Sequence, residues 1–333
     1  MASQTLVLTR ADVERVLTLD DCIGAVEDAF RAHGEGRARP PGVLGMEVDG
    51  GGFHTKAAVL GTDRPYFAAK VNGNFPENPR RHGLPTIQGV VVLCDAGNGT
   101  LLALLDSIEI TALRTAAATA VAARHLARAD VETAVVCGCG TQGRVQLEAL
   151  ARVRCLKRAF AYDISAESAE RFARDMTARL GFPVQSVAGL AGLPMPADEP
   201  AVWITCTPAR RAFLERVHVT PGAFIAAVGA DNADKQEIHS DLMAASKVVV
   251  DVLDQCAQIG DLHHALAAGV MKRQDVHAEL GAVVAGLEPG RESDEEIIVF
   301  DSTGTALQDV AAAVVAYRNA VERGIGTLVS LNA

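Results

Sequence analysis

The most restrictive stretch of this 333-residue chain is Val135-Val136-Cys137-Gly138-Cys139-Gly140-Thr141-Gln142-Gly143. An apolar run ends in G-x-G-x-x-G, and a helical pattern begins at once. In that context Gly138 makes a tight turn, Gly140 lets backbone approach a pyrophosphate, and Gly143 lets the helix pack on the strand. Thr141 and Gln142 open a helix whose N-terminus offers free N–H groups and partial positive charge to phosphates. Asp163 stands 20 residues after Gly143, at the end of the next apolar run, where a carboxylate accepts from ribose hydroxyls. It repels a 2′-phosphate, and no Arg occupies 164 or 165, so the expected cofactor is NAD(H) rather than NADP(H). The bland alternative is that the glycines only tighten a strand–helix turn.

The neighbourhood of the motif agrees with this reading. Strand-like runs at 134–137, 158–162, 184–187, 202–205, 224–228 and 248–252 alternate with helical patterns such as 142–152 and 166–180. Such alternation implies a doubly wound parallel sheet, a Rossmann domain. The N-terminal part differs. Thr9 or Thr18 can cap helix, with Val13, Val16 and Leu17, then Ile23, Val26 and Phe30, at helical spacing. Residues 36–43 break the helix, and 43–106 read as an antiparallel β unit with a hairpin at 95–100. An Ala-rich helix follows over 111–127, and a last amphipathic helix over Ala306–Arg323 is expected to fold back on the N-terminal part. The expected fold class is therefore α/β: a Rossmann dinucleotide-binding domain at 119–305, plus a discontinuous α+β domain at 1–118 and 306–333. Ser302 or Thr303 is the expected cap of the last helix.

Composition excludes several classes. With 31 Lys+Arg against 41 Asp+Glu the net charge is −10, which disfavours nucleic acid and anionic membrane as partners. No run of about 18 apolar residues is present, so no membrane span is expected. The N-terminus lacks an apolar signal-type core, and the expected location is cytoplasmic. The 7 cysteines lie in apolar runs and read as reduced, buried side chains. Cys137 and Cys139 have no second pair at zinc spacing, and the adjacent His263 and His264 point to different helix faces, so no metal is expected.

Four charged residues stand in apolar or tight segments, where burial has a cost: Lys56, Lys70, Arg114 and Asp231. Three cations and a carboxylate suit a small anionic substrate with a second group that exchanges a proton. Ordinary surface or salt-bridged residues are the alternative. Thr205-Cys206-Thr207-Pro208, and Val228 before Gly229, end strands where a nucleotide would lie, so Thr205, Thr207 and Val228 join the candidate cofactor residues. Lys235 and Glu237 read as a local ion pair.

The chain resembles the ornithine cyclodeaminase/mu-crystallin family over nearly its whole length. The resemblance is carried by Lys70-Val-Asn-Gly-Asn-Phe-Pro, Gly83-Leu-Pro-Thr86-Ile-Gln-Gly89, Ile110-Thr-Ala-Leu-Arg114-Thr-Ala-Ala117, Val135–Gly143, Val228-Gly-Ala-Asp231-Asn-Ala-Asp-Lys235-Gln-Glu237 and Phe300-Asp-Ser-Thr-Gly304-Thr-Ala-Leu-Gln-Asp309. It implies a homodimer in which the N-terminal domain closes a β-barrel across the interface. It also implies hydride transfer between nicotinamide and the Cα of an amino or imino acid. By motif match, Lys70 and Arg114 would bind the substrate carboxylate, Thr86 would lie near substrate, Asp231 would be the acid/base partner of the nitrogen, and Gly304 would lie near the cofactor. The family's further Arg after the first helix is missing here: Gly42 stands at its place, so either Arg39 or, by preference, Lys56 takes that role, or the substrate is anchored differently. The expected activity is an imine reductase or amino-acid dehydrogenase, with an ornithine- or lysine-type cyclodeaminase or a non-catalytic mu-crystallin-like binder as alternatives. For Asp231, burial would raise the pKa and Lys70 would lower it. Both directions stay open at this stage.

Overall fold

The computed structural model describes residues 4–39, 41–61, 64–196 and 198–331. Pro40, in the expected helix break, and the extreme ends of the expected N-terminal domain lie outside them. The chain divides into two compact units, Met1–Arg114 with Thr305–Ala333, and Thr115–Gly304.

The first unit opens with β1 (Gln4–Leu8), a strand absent from the sequence reading, which has only helix in this part. Helices Arg10–Val16 and Leu19–Gly34 follow. Both expected caps are used. The Thr9 hydroxyl accepts from the Asp12 N–H and the Thr18 hydroxyl from the Asp21 N–H, while each aspartate reaches back to its threonine. These are two capping boxes, each satisfying orphan N–H groups at a helix start. The β region comprises β2 (Gly42–Val48), β3 (Gly51–Gly61), β4 (Pro65–Asn74), β5 (Ile87–Asp95) and β6 (Leu101–Asp106). Together with β17 (Thr327–Ser330) they form one sheet in the order β17-β1-β6-β5-β4-β3-β2. Strands β2 to β6 run antiparallel in sequence order, and only the β1–β6 pair is parallel.

Helix Ala306–Arg323 has the expected limits and packs on β3, β4 and β5 and on helix Leu19–Gly34. Its buried side chains are largely Ala and Val, small enough to let the helix lie close to its neighbours. The cap is Thr305, whose side chain accepts from the Leu307 N–H, not Ser302 or Thr303. Those two hydroxyls reach Asp251 instead.

In the second unit β7 (Thr133–Cys137), β8 (Arg158–Tyr162), β9 (Val184–Ser186), β10 (Ala201–Thr205), β12 (Phe224–Ala227), β14 (Lys247–Val250), β15 (Ala278–Glu279) and β16 (Ile298–Asp301) form an all-parallel sheet. The order is β15-β14-β16-β12-β10-β7-β8-β9. Strands β7, β10, β12 and β16 are buried along their whole length, as strands covered on both faces must be. Trp203, Phe160, Ile225, Val248 and Val299 lie at the centre of its core. A small parallel pair, β11 (Arg210–Leu214) and β13 (Gln236–Ile238), stands beside it. The expected doubly wound sheet is present, with one difference. β16, which is not among the strand-like runs expected from the sequence, inserts between β12 and β14.

Helix Ser107–Leu126 begins four residues before the expected start, because the Asp106 carboxylate accepts from the Ile108 N–H. Not every cysteine is buried, as the sequence suggested. Cys155 is exposed and Cys94 and Cys206 are half-buried; all seven are free. Among the described residues no helix is long and apolar enough to cross a membrane.

Replacing Thr18 with Ala should cost about 1 kcal/mol of stability, the worth of one N-cap. Denaturant unfolding measures this, and a change below a few tenths would mean that the box contributes little.

Candidate active site

Lys70 and Arg114 meet in the first unit on one carboxylate. Lys70 projects from β4 and is 4% exposed; Arg114, on helix Ser107–Leu126, is 5% exposed. The Lys70 Nζ donates to Asp309 Oδ1 at 2.8 Å, and the Arg114 Nε lies 3.0 Å from the same oxygen. Arg114 Nη1 also donates to Gln308 Oε1 at 2.8 Å. Asp309 and Gln308 lie in the first turn of helix Ala306–Arg323. Asp309 Oδ2 and Gln308 Nε2 are buried and have no hydrogen-bond partner among the described residues. Lys56 stands opposite Lys70 in the β3–β4 register.

Burial pushes the Lys70 ammonium down to about 7, aided by the charges of Arg114 and Lys56 and opposed by Asp309. Burial also works to raise the Asp309 carboxyl, yet Lys70 and Arg114 hold it below the usual carboxylate range. Of the two residues left open for the place of Gly42, Lys56 adds its charge to this cluster, whereas Arg39 is exposed. Thr86 is half-buried at the end of the loop before β5, where its carbonyl accepts from the Phe75 N–H. Sequence reasoning found the cations but not their counter-ion, although Asp309 ends one of the motifs that carry the resemblance.

In the second unit the glycine-rich turn follows β7, at the point where chain order reverses between β8 and β10. Gly138 has φ +102°, and a Cβ there would stand 2.7 Å from the Cys206 carbonyl oxygen. A Cβ on Gly143 would stand 2.2 Å from the Gly138 oxygen, so helix Thr141–Val153 can lie this close only without a side chain. Gly140 is different: a Cβ would meet nothing within 4 Å. It heads the helix without a side-chain cap, leaving open space before free N–H groups. That cradle fits a dinucleotide pyrophosphate. Asp163 lies just past β8. Its Oδ2 accepts from the Cys139 N–H and its Oδ1 from the Ser165 N–H, each at 2.9 Å, so the acid also braces the turn. Val228 continues β12, its N–H donating to the Thr205 carbonyl. Gly304, at φ +75°, donates its N–H to Asp251 Oδ2 and accepts from Gln255 Nε2.

Two expectations about the loop after β12 need correction. Asp231 is not walled in by apolar groups: its side chain is 53% exposed and accepts from the Lys235 Nζ at 2.7 Å. Consequently Lys235 does not pair with Glu237. Glu237 is fully buried and accepts from the N–H and hydroxyl of Thr207 and from the Gly229 N–H. Spacing favoured the wrong partner because the Lys235 ammonium reaches Asp231 four residues back, while the Glu237 carboxylate is taken up by Thr207 and Gly229.

The family model for the ornithine cyclodeaminase/mu-crystallin family matches residues 3–324. The chain belongs to the ornithine cyclodeaminase/mu-crystallin family. It is 38% identical to an alanine dehydrogenase of Archaeoglobus fulgidus, over 97% of this chain and 98% of that one. Among solved structures it is similar to an archaeal alanine dehydrogenase dimer with bound NAD, with TM-score 0.91 and 38% identity over 99% of this chain and 100% of that one. It is also similar to the Δ1-pyrroline-2-carboxylate reductase of Thermococcus litoralis in complex with NADH and L-proline. There the TM-score is 0.91, with 34% identity over 98% of this chain and 100% of that one.

Removing the shared carboxylate leaves two buried cations uncompensated. Asp309→Ala should therefore cost about 3–5 kcal/mol. Urea unfolding tests this, and a loss under about 1 kcal/mol would show that the cluster relaxes to water.

Proposed function

We propose that the protein is an NAD(H)-dependent oxidoreductase acting at the Cα of a small imino or amino acid, an imine reductase or amino-acid dehydrogenase. The observation that carries this is the buried Lys70–Arg114–Asp309 cluster. Its two buried cations share one carboxylate oxygen, and Lys56 adds further positive charge. Such a site suits a carboxylate ligand. Arg114 would offer a two-pronged fork and Lys70 a point charge. Fixing the acid in one orientation can contribute roughly 7 kcal/mol or more to lowering a barrier at best. Thr86 is proposed to lie against the same substrate.

The cofactor would be held by Gly138, Gly140, Thr141, Gln142 and Gly143 at its phosphates and by Asp163 at a ribose. Thr205, Thr207, Val228 and Gly304 would line the remainder of its site. When bound, it supplies the hydride donor or acceptor. Asp163 followed by the exposed Ile164, with no cation at either position, supports NAD(H) over NADP(H). Asp231 is the proposed acid/base group for the substrate nitrogen, its carboxylate kept in place by Lys235. An imine nitrogen needs a proton to become a good electrophile, and an exposed carboxyl can exchange one with water. A homodimer is proposed from the dimeric relative. The strand β2 edge, with Val43, Leu44 and Met46 exposed, is an apolar surface suited to a second copy.

The assay uses NADH with pyruvate plus ammonia or methylamine, NADH with cyclic ketimines, and NAD⁺ with ornithine or lysine. Net NADH loss with an imine is expected. Ammonia release without net cofactor change would instead identify a cyclodeaminase, and silence in every arm would sink the enzymatic reading. Asp231→Asn should cut turnover at least about 100-fold, and activity within threefold of wild type would remove Asp231 from the mechanism.

Lys70 also sets a pH dependence. With its ammonium near 7 in the free protein, carboxylate binding should draw a proton onto it. Affinity for pyruvate should then be flat below about 7 and weaken as the pH rises above it. Calorimetry at pH 8 in two buffers of different ionisation enthalpy should show proton uptake on binding. Equal heats in both buffers would mean that Lys70 does not titrate with the ligand.

A further inference from the structure

Glu237 has no part in the roles given so far, yet its surroundings are unusually specific. Oε1 accepts from the Thr207 N–H at 2.6 Å and from the Thr207 hydroxyl at 2.7 Å. Oε2 accepts from the Gly229 N–H at 2.9 Å. Thr207 follows β10 and Gly229 follows β12, and these strands are neighbours in the sheet. One side chain therefore ties together the C-terminal ends of two adjacent strands.

It also closes a loop, since Gly229 begins and Glu237 ends the segment that carries Asp231. Within that segment the Asp231 N–H donates to the Gly229 carbonyl, the Lys235 Nζ holds the Asp231 carboxylate, and the Lys235 carbonyl bonds to His264 Nε2. A Cβ on Gly229 would lie 2.4 Å from Glu237 Cδ, so a side chain there would displace the carboxylate. The backbone of Glu237 is fixed in turn. Its N–H and that of Ile238 both donate to Asp261 Oδ1, at 2.8 and 2.9 Å. Asp301 Oδ2 then accepts from the Leu262 N–H, anchoring the segment that carries Asp261.

Stability alone does not explain an acid here. Burying a carboxylate is costly even when it is well bonded, and the donors that end on it, the Thr207 N–H and hydroxyl and the Gly229 N–H, offset that cost. Burial pushes the Glu237 carboxyl upward, and the donations from Thr207 and Gly229 act against that. What an apolar side chain could not do is bind both strand ends at once.

We propose that Glu237 is a positioning residue: by clipping loop 229–237 to the turn after β10, it sets where the Asp231 carboxylate stands. The inference rests on the role proposed above for Asp231.

Two variants test it by different chemistry. Glu237→Gln keeps the shape but turns one acceptor into a donor facing N–H groups. Gly229→Ala keeps the carboxylate and displaces it. In each, the amides of Thr207 and of loop 229–237 should exchange with deuterium at least about tenfold faster than in wild type, while β14 is unchanged. Turnover per folded molecule should fall about 10- to 100-fold, with KM for the acid within about threefold because Lys70 and Arg114 are untouched. A merely structural glutamate would lower Tm and leave turnover and its pH profile per folded molecule intact. In wild type itself the Thr207 and Gly229 amides should open together, so the test does not depend on either variant folding. Exchange as fast as an exposed loop would overturn the clip. Faster exchange with unchanged turnover would overturn its role in the reaction. Crippled Asp231→Asn beside a normal Glu237→Gln would sink this inference alone, whereas a harmless Asp231→Asn would sink the parent reading and leave the exchange result to decide the clip.

Discussion

Lys70 and Arg114 can be buried side by side only because Asp309 stands between them and accepts their charge on one oxygen. Two desolvated cations without an anion would repel each other and lose their hydration. The anion comes from the first turn of helix Ala306–Arg323, near the end of the chain, while the cations come from β4 and from helix Ser107–Leu126. The return of the last helix to the first unit is thus an electrostatic necessity as well as a packing one. The same arrangement leaves the cluster adaptable. Asp309 offers one engaged oxygen, and burial together with the Arg114 charge outweighs its attraction, bringing the Lys70 ammonium down to about 7.

The second unit solves the reverse problem. Glu237, Asp251, Asp261 and Asp301 are all fully buried, and backbone N–H groups rather than cations feed them. Three of the four accept from a segment that carries or adjoins another: Asp261 takes the N–H of Glu237, Asp301 takes those of Asp261 and Leu262, and Asp251 takes that of Gly304. Burial, with Asp301 and Glu237 nearby, drives Asp261 well up, and burial with Asp251 nearby brings Asp301 to about 7. The network fixes loops at the C-terminal ends of the parallel strands, the region where open α/β sheets take ligands.

Much of this was legible from the sequence, and the reason is locality. Thr9 and Thr18 announce their helices because a capping box is complete within four residues. The glycine-rich turn is legible because a strand, a helix start and three glycines are consecutive. The limits of helix Ala306–Arg323 follow from an unbroken periodic pattern ending at Gly324. Where tertiary pairing decides, the reading fails. β1 is five residues long and is a strand because β6 and β17 flank it. β16 is a short apolar run whose strand character comes from β12 and β14 on either side.

The site divides along the same line. A buried cation betrays itself by standing alone in an apolar segment, so Lys70 and Arg114 could be found one at a time. Their counter-ion could not, because 239 residues separate Lys70 from Asp309 and 194 separate Arg114 from Gln308. An acid in a helix's first turn is, moreover, the most ordinary place for one, since it complements the helix dipole at an exposed end. Asp309 has that address and a different environment, being 1% exposed. Glu237 is disguised in the same way by Lys235, a plausible neighbour that in fact belongs to Asp231. In both cases local chemistry supplied a sufficient explanation for the residue and so hid the long-range one. The buried acids of this chain are therefore best sought where a carboxylate already seems accounted for, by asking whether the segment around it is too apolar for the partner that sequence proximity suggests.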